Sequence, residues 1–484
     1  MSRQSGRNRR RVTWGRALAV GAGAGVAAWG LSRAARARPA PLPEGPPHRI
    51  VVLGGGFGGT SFLSELHRRL GRQSRLHVLM VDRNNVNLFT PLLYQVATGV
   101  LDPDHVTYPL RPRVRQLGAR FQESVVQGID LDARQVITDD GPIPYDTLVV
   151  SLGSVANFFG MRDIAERALT LKTLGDGITL RNRIIDVFEE AAVTSDPARR
   201  AELLTFDIVG AGATGVEFAT ALDGLIDRVL LRDYPEIRAD EVRIRVIEAL
   251  DHVVPEMSPR VSHLVANRLG SRNIQVLLNK SVAGLDDGRL RTRDGSLLAA
   301  GTIIWTAGVR SNPIVANLPG DHARGGRIGV NEFLQLPDHP EVFCIGDNTY
   351  FADSDSPRGV PPNAPAAIQM GQATARNVER ALRGWPLEPF KYVPRGELLA
   401  LGRNHAVVNT HGILFDGWPG WVVWRAYYLY ALMDSENRAG VVTDWAFAYL
   451  ARRRESGRLI CAPAMAEEEG ITPEAAIRMG QTNL

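Results

Sequence analysis

Two sets of three glycines carry the first chemistry in this chain. In "GGGFGG", Gly54, Gly56 and Gly59 fall at G-x-G-x-x-G spacing, and in "GAGATG", Gly210, Gly212 and Gly215 repeat it. The first glycine of such a set makes a tight turn, the second lets backbone approach a pyrophosphate, and the third lets a helix pack closely on a strand. The pyrophosphate then rests on a helix N-terminus, where unpaired N–H groups and the dipole favour an anion. Each set has a candidate ribose acid: Asp82 ends "RLHVLMVD", and Glu248 follows "VRIRVI", reached across "RDYPEIRADE", which reads as an inserted loop. A carboxylate at Glu248 repels a 2′-phosphate and so favours NADH over NADPH. The plainer readings are glycines kept for turns alone and a solvated acid at a strand end.

Two dinucleotide cradles in one polypeptide need a chemical reason, and hydride transfer supplies one. A nicotinamide reduces a flavin when their rings stack, and each cofactor requires its own cradle. The redox centre must then be the flavin, because the chain has only two cysteines, Cys344 and Cys461, and shows no Cys-x-x-Cys, haem or metal motif. In "FCIGDN", Asp347 at a strand end suits the hydroxyls of a flavin's ribityl chain, the alternative being a simple Gly-Asp turn.

These residues need a strand, a glycine turn and a helix to position them. That order is legible at Arg49 to Leu66 and again at Phe206 to Leu222, the opening of doubly wound sheets. "GTIIWTAGV" and "VFCIGDN" read as further buried strands, and "LFTPLLYQVATGVLDPDHVTYPLR" as a proline-punctuated loop or helix region. At 484 residues with 44% hydrophobic content the chain is long enough for about three domains. Its net charge of +4 is concentrated before residue 39, where nine arginines and no acid occur, so no nucleic-acid face is indicated. There "ALAVGAGAGVAAWGL" (Ala17 to Leu31) is short for a spanning helix, which needs about 20 apolar residues. It reads as a weak anchor, a signal-peptide core or part of a transit peptide. The expected divisions are 1–46 for this segment and a Pro-rich linker, 47–170 and 313–388 for one interrupted dinucleotide domain, 171–312 for the second, and 389–484 for an aromatic region. In that last region Trp421, Trp424, Tyr428 and Leu432 recur at helical spacing with Arg425 the sole charge between Trp418 and Met433. Such a face suits a lipid–water interface, buried packing or a homodimer contact.

The motifs in order resemble the type II NADH dehydrogenases, the non-proton-pumping NADH:quinone oxidoreductases of the two-dinucleotide-binding-domain flavoproteins. "GGGFGG", "VDRNNVNLFTPLLYQVATGVLDP", "YDTLVVSLGS", "VGAGATGVEFA", "WTAGV", "FCIGDN" and "APAAIQMGQ" carry the resemblance from about Arg49 to Ile460, with "LFTPLLYQVATG" the most discriminating. It implies an α/β fold with two Rossmann-like domains, the FAD domain interrupted by the NADH domain, and a C-terminal membrane-docking helical segment. It also implies tightly bound FAD, NADH as substrate, a membrane quinone as acceptor, and a peripheral place on the cytoplasmic face of a bacterial inner membrane, or on an organelle inner membrane after transit-peptide removal. By position, cofactor contacts fall at Gly54, Gly56, Phe57, Gly58, Gly59, Asp82, Gly153, Gly346 and Asp347, and at Gly210, Gly212, Gly215, Glu248 and Gly308. Glu217 matches a family glutamate near the nicotinamide, its plainer reading being a first-turn acid that favours the helix dipole. Gln369 matches a glutamine beside flavin and quinone. The segment departs from the family at Pro365, which stands where many members carry a second glutamine and offers no donor to a quinone carbonyl. A ferredoxin-type reductase and a slow-turnover NADH sensor are therefore the competing expectations.

Overall fold

The protein was analysed as a computed structural model that describes residues 41–353, 356–357 and 359–450. The apolar run Ala17 to Leu31, Cys461 and the basic run after residue 450 lie outside the described residues. Along the chain run β1 (His48–Leu53), α1 (Phe57–Leu70), β2 (Leu76–Asp82), α2 (Leu93–Ala97), β3 (Arg120–Glu123) and β4 (Thr147–Val150). Next come α3 (Leu174–Val193), β5 (Thr205–Val209), α4 (Ala213–Leu225), β6 (Arg243–Ile247), β7 (Ile274–Leu277) and β8 (Thr302–Trp305). The chain then adds β9 (Gln335–Leu336), β10 (His339–Cys344), α5 (Ala364–Arg383), β11 (Glu397–Ala400), β12 (Ala406–Thr410), β13 (Ile413–Phe415), α6 (Trp418–Ala431) and α7 (Ser435–Leu450).

The uninterrupted apolar runs become central parallel strands, because such strands are covered on both faces. Ile50 to Leu53 in β1 and Phe206 to Val209 in β5 are buried throughout. The first sheet has the order β9-β10-β4-β1-β2-β3, parallel except for the β9/β10 pair. The second, β7-β6-β5-β8, is wholly parallel. Because β10 pairs with β4 after β5 to β8 have built a separate sheet, the chain leaves the first sheet and returns to it. In each sheet the glycine-turn strand has a neighbour on both sides, so its carboxyl end opens into the crevice where α/β folds bind ligands.

α5 crosses α1 at glycines, for a Cβ added at Gly371 would lie 2.4 Å from the Gly58 carbonyl oxygen. The antiparallel strands β11 to β13 carry α6 and α7 back against the second sheet, so Trp424, Leu432, Val441 and Trp445 share one core with α2, α3 and α4. Asn437 fixes α7 by donating to the carbonyls of His105 at 3.0 Å and Thr107 at 2.8 Å. Among the described residues no helix is long and apolar enough to cross a membrane.

Candidate active site

The two glycine turns have one geometry. Gly54 and Gly210 adopt φ of +97° and +106°, the left-handed region open to glycine. Each donates its N–H at 2.8 Å to a carbonyl at the end of the next strand, that of Val81, one residue before the last of β2, for Gly54 and that of Ile247, the last of β6, for Gly210. A Cβ at Gly59 would sit 2.0 Å from the Gly54 carbonyl oxygen, and one at Gly215 would sit 2.1 Å from that of Gly210. Third-position glycine is thus demanded by the close approach of helix and strand. The second position differs: a Cβ at Gly56 meets nothing within 4 Å. The open space before the N-terminus of α1 leaves room for a pyrophosphate.

The acids repeat as well. Asp82 accepts from the Gly55 N–H at 2.6 Å and the Asn84 N–H at 2.8 Å, while Glu248 accepts from Ala211 N–H at 2.8 Å and Leu250 N–H at 3.0 Å. Both carboxylates therefore latch the residue after the first glycine to the residue two beyond themselves. Burial holds the Asp82 pKa above the ordinary aspartate value despite those two hydrogen bonds. A carboxylate accepts at about four lone-pair positions, so each acid keeps capacity for a ribose hydroxyl.

The returning strand completes the first cradle. Gly346, at φ +78°, lies beside Ala367 of α5, and Asp347 accepts from Ser154 Oγ at 2.7 Å. Lys172 Nζ donates to the same hydroxyl at 3.1 Å, and Gly153 N–H donates to Asn348 Oδ1 at 3.0 Å. Sequence reading missed Ser154 and Lys172, which are far from Asp347 in the chain. Gly308, at φ +142°, lies three residues past the end of β8, and a Cβ there would approach Phe159 at 3.5 Å.

Glu217 stands in α4 beyond its first turn, which contains no acid, so the dipole-stabilising role expected as the plainer reading does not hold. The residue is 8% exposed, and its carboxyl accepts from the Ala400 N–H of β11 at 3.0 Å. Burial pushes its pKa up to about 8, the hydrogen bond opposing only in part. Tyr94 and Tyr428 lie within its field, and both phenols are raised well above their ordinary value, first by burial and then by Glu217. From the first cradle, Phe57 contacts Phe89 at 5.7 Å between centroids, and Phe89 contacts Tyr428 at 6.0 Å. A continuous set of rings thus joins Phe57 at the first cradle to the neighbourhood of Glu217 behind the second. Tyr94 and Phe89 both come from "LFTPLLYQVATG".

Gln369 is held differently, its Nε2 donating to Val393 O at 2.9 Å and its Oε1 accepting from Val393 N–H at 3.0 Å. It shares α5 with the Gly371 contact to α1, whereas Glu217 is tied to β11, so the two sit on separate backbone supports. Pro365 lies in the first turn of α5, after Asn363, whose side chain caps the helix by accepting from Ala366 N–H at 2.9 Å. A missing N–H is tolerated there because first-turn amides have no partner inside the helix.

Of the three expectations for the aromatic face, buried packing holds at Trp424 and Leu432. Trp424 and Leu432 are each 2% exposed, and Arg425 stacks over Trp421 at 4.1 Å and Trp445 at 4.2 Å. Cys344 is buried in β10 with its thiol pushed up to about 12 by burial, which makes it inert as a nucleophile at neutral pH. Among the described residues no group of three or more His, Cys, Asp or Glu is placed to hold a metal ion.

Residues 48–371 match the pyridine nucleotide-disulphide oxidoreductase family. The chain is 31% identical over 423 residues to the type II NADH:quinone oxidoreductase Ndh of Mycobacterium tuberculosis, covering 84% of this chain and 89% of that protein. It is 28% identical over 382 residues to the type II NADH:quinone oxidoreductase of Haemophilus influenzae, covering 74% and 86%. In fold it is similar to NDH2 from Plasmodium falciparum solved in complex with NADH, with a TM-score of 0.76 at 17% identity over 84% of this chain and 99% of that one. The sulfide:quinone oxidoreductase of Aquifex aeolicus follows with a TM-score of 0.65 at 19% identity over 84% and 96%. With its paired parallel sheets, duplicated glycine turns and these relatives, the chain belongs to the pyridine nucleotide-disulphide oxidoreductase family and, within it, to the type II NADH:quinone oxidoreductase enzymes.

Proposed function

We propose that this enzyme binds FAD at Gly54 to Gly59 and NADH at Gly210 to Gly215, and passes two electrons to a membrane quinone without pumping protons. The observation that carries the reading is the duplicated cradle, in which glycine turn, strand-end carbonyl and acid latch recur with the same atoms in the same roles. FAD, when bound, supplies hydride acceptance from nicotinamide at N5 and two-electron delivery to quinone.

The protein's part is to bind and orient. Asp82 takes the ribose of the first dinucleotide, and Asp347, held by Ser154, which Lys172 holds in turn, takes hydroxyls of the chain between ribose and ring. Glu248 takes the ribose of NADH, where it disfavours a 2′-phosphate. Glu217, whose pKa burial pushes up to about 8, keeps its proton at pH 7 and is assigned here as the proton donor to the quinone being reduced. Proton transfer to the substrate and return of a proton from solvent complete its cycle. Gln369 supports the flavin side through the backbone of α5.

Steady-state kinetics with a soluble quinone test this. NADH should exceed NADPH in kcat/KM by about tenfold or more, the order expected from one nearby carboxylate facing a 2′-phosphate. Equal use of NADPH removes the role given to Glu248, and NADH oxidation that quinone does not accelerate removes the acceptor.

The membrane surface is assigned to the outer sides of α6 and α7. Trp418 is 63% exposed, Val422 40% and Tyr430 80%, spaced four and then eight residues apart on α6, and Val442 and Phe447 are exposed on α7. A stripe of this kind buries its apolar rings at the acyl boundary. The V422E/F447E double variant should lose about 90% or more of its co-sedimentation with anionic vesicles and retain NADH-dependent flavin reduction in solution. A homodimer that the same substitutions break, with vesicle binding unchanged, would assign the stripe to self-association instead.

A further inference from the structure

At the helix start the two cradles differ by a carboxylate. Glu256, in the loop after β6, accepts the Ala213 N–H at 2.8 Å through Oε1. Ala213 is the first residue of α4 and corresponds to Phe57 at the start of α1. A Cβ at Gly212 would meet Glu256 Oε1 at 3.5 Å and Oε2 at 3.8 Å, while the matching position at Gly56 is open. Among the described residues no side chain takes the Phe57 amide.

We propose that Glu256 occupies the seat of the NADH pyrophosphate and must swing out for the dinucleotide to enter, which makes it a determinant of NADH affinity and of product release. The inference rests on the assignment of the second cradle to NADH. One N–H cannot serve a carboxylate and a phosphate oxygen together, and two anions within a few ångströms repel. Glu256 is exposed, so leaving its position uncovers no apolar surface.

The loop that carries it is anchored on both sides. Val254 N–H donates to Ala211 O at 2.8 Å, and Ser258 Oγ donates to Glu397 Oε2 of β11 at 2.8 Å. At the first of these anchors Val254, β-branched and buried, adopts φ +44°, a conformation such residues seldom take. Fixed on both flanks, the loop holds its carboxylate over the glycine turn. A reversible internal anion is suited to a site whose occupant comes and goes, and it is missing from the cradle assigned to a permanent cofactor.

Calorimetric titration of the full-length flavoprotein with ADP-ribose, which carries the pyrophosphate, and with adenosine, which lacks it, tests this. E256Q and E256A should each bind ADP-ribose about 3- to 10-fold more tightly than the wild type, the range set by one anion at a helix N-terminus. Adenosine affinity should be unchanged. ADP-ribose binding that is unaltered or weakened in both variants, or an equal gain with adenosine, overturns the proposal. A wild type that binds neither probe removes the assignment of the cradle itself, and the inference with it, a result distinct from a wild type that binds and variants that gain nothing.

Discussion

Gly56→Val is expected to give a folded protein that retains flavin about 10- to 100-fold less well, and Gly212→Val a flavin-containing protein in which NADH binding is weakened to a similar degree. Both positions are extended, with φ of −73° at Gly56 and −68° at Gly212, so neither backbone needs glycine for its own conformation. A side chain at Gly56 would touch no protein atom within 4 Å of its Cβ, so the substitution fills only the space assigned to the pyrophosphate. This separates the pair from Gly59 and Gly215, where a Cβ would strike a carbonyl at 2.0 and 2.1 Å and loss of ligand would be confounded with loss of fold. The measurements are the flavin-to-protein ratio after desalting, the NADH dependence of flavin bleaching, and far-ultraviolet circular dichroism as the control for folding. Flavin retained at the wild-type level in Gly56→Val would detach the first cradle from FAD.

Glu217→Gln should lower quinone-dependent turnover by about a hundredfold, the lower end of what a positioned proton donor contributes. Glutamine keeps an oxygen for the Ala400 N–H and nearly the same volume, so the change removes a proton rather than a contact. Because the Glu217 carboxyl is held at about 8, wild-type turnover should fall as pH rises through that value and the variant should show no such step. Stability follows the same titration. The folded pKa lies above the ordinary value of 4.5, so the stabilisation that burial of the neutral acid allows is complete below about pH 4.5 and is lost as pH rises through about 8. Tm of the wild type should decline over that window and that of Glu217→Gln should decline less. A variant that loses the stability step and keeps full turnover with an unchanged pH profile would make Glu217 a structural group only.

The cradles are legible in sequence because their chemistry is local. Glycine spacing fixes the turn, and the strand-end acids Asp82 and Glu248 find their amide partners by virtue of the β-α-β connection alone. What sequence could not supply depends on distant chain meeting distant chain. Ala400 reaches Glu217 from β11, and Tyr428 reaches Phe89 from α6, contacts that no local pattern specifies. The periodicity of Trp421, Trp424, Tyr428 and Leu432 identified one face of α6 correctly and left its direction open. Both sides of that helix are apolar, so the hydrophobic pattern does not say which one meets the core. Trp424 went inward, and the stripe through Trp418, Val422 and Tyr430 was left outside. Arg425, conspicuous as the lone charge, is accommodated by stacking on rings, which suits the weakly hydrated guanidinium. Glu256 escaped notice because its target amide is 43 residues away and its type is that of any exposed loop acid. Pro365 removes a quinone donor by residue type, while its first-turn position in α5 gives it a separate structural reason.

The most direct test of a division between a resident flavin and a visiting NADH is an anaerobic spectral titration of the purified protein. The protein as isolated should show flavin absorbance, a stoichiometric addition of NADH should bleach it, NADPH should do so more slowly, and a soluble quinone should then restore it. Absence of flavin absorbance, or bleaching by NADH that persists in Gly212→Val at wild-type affinity, would contradict the division of the two cradles.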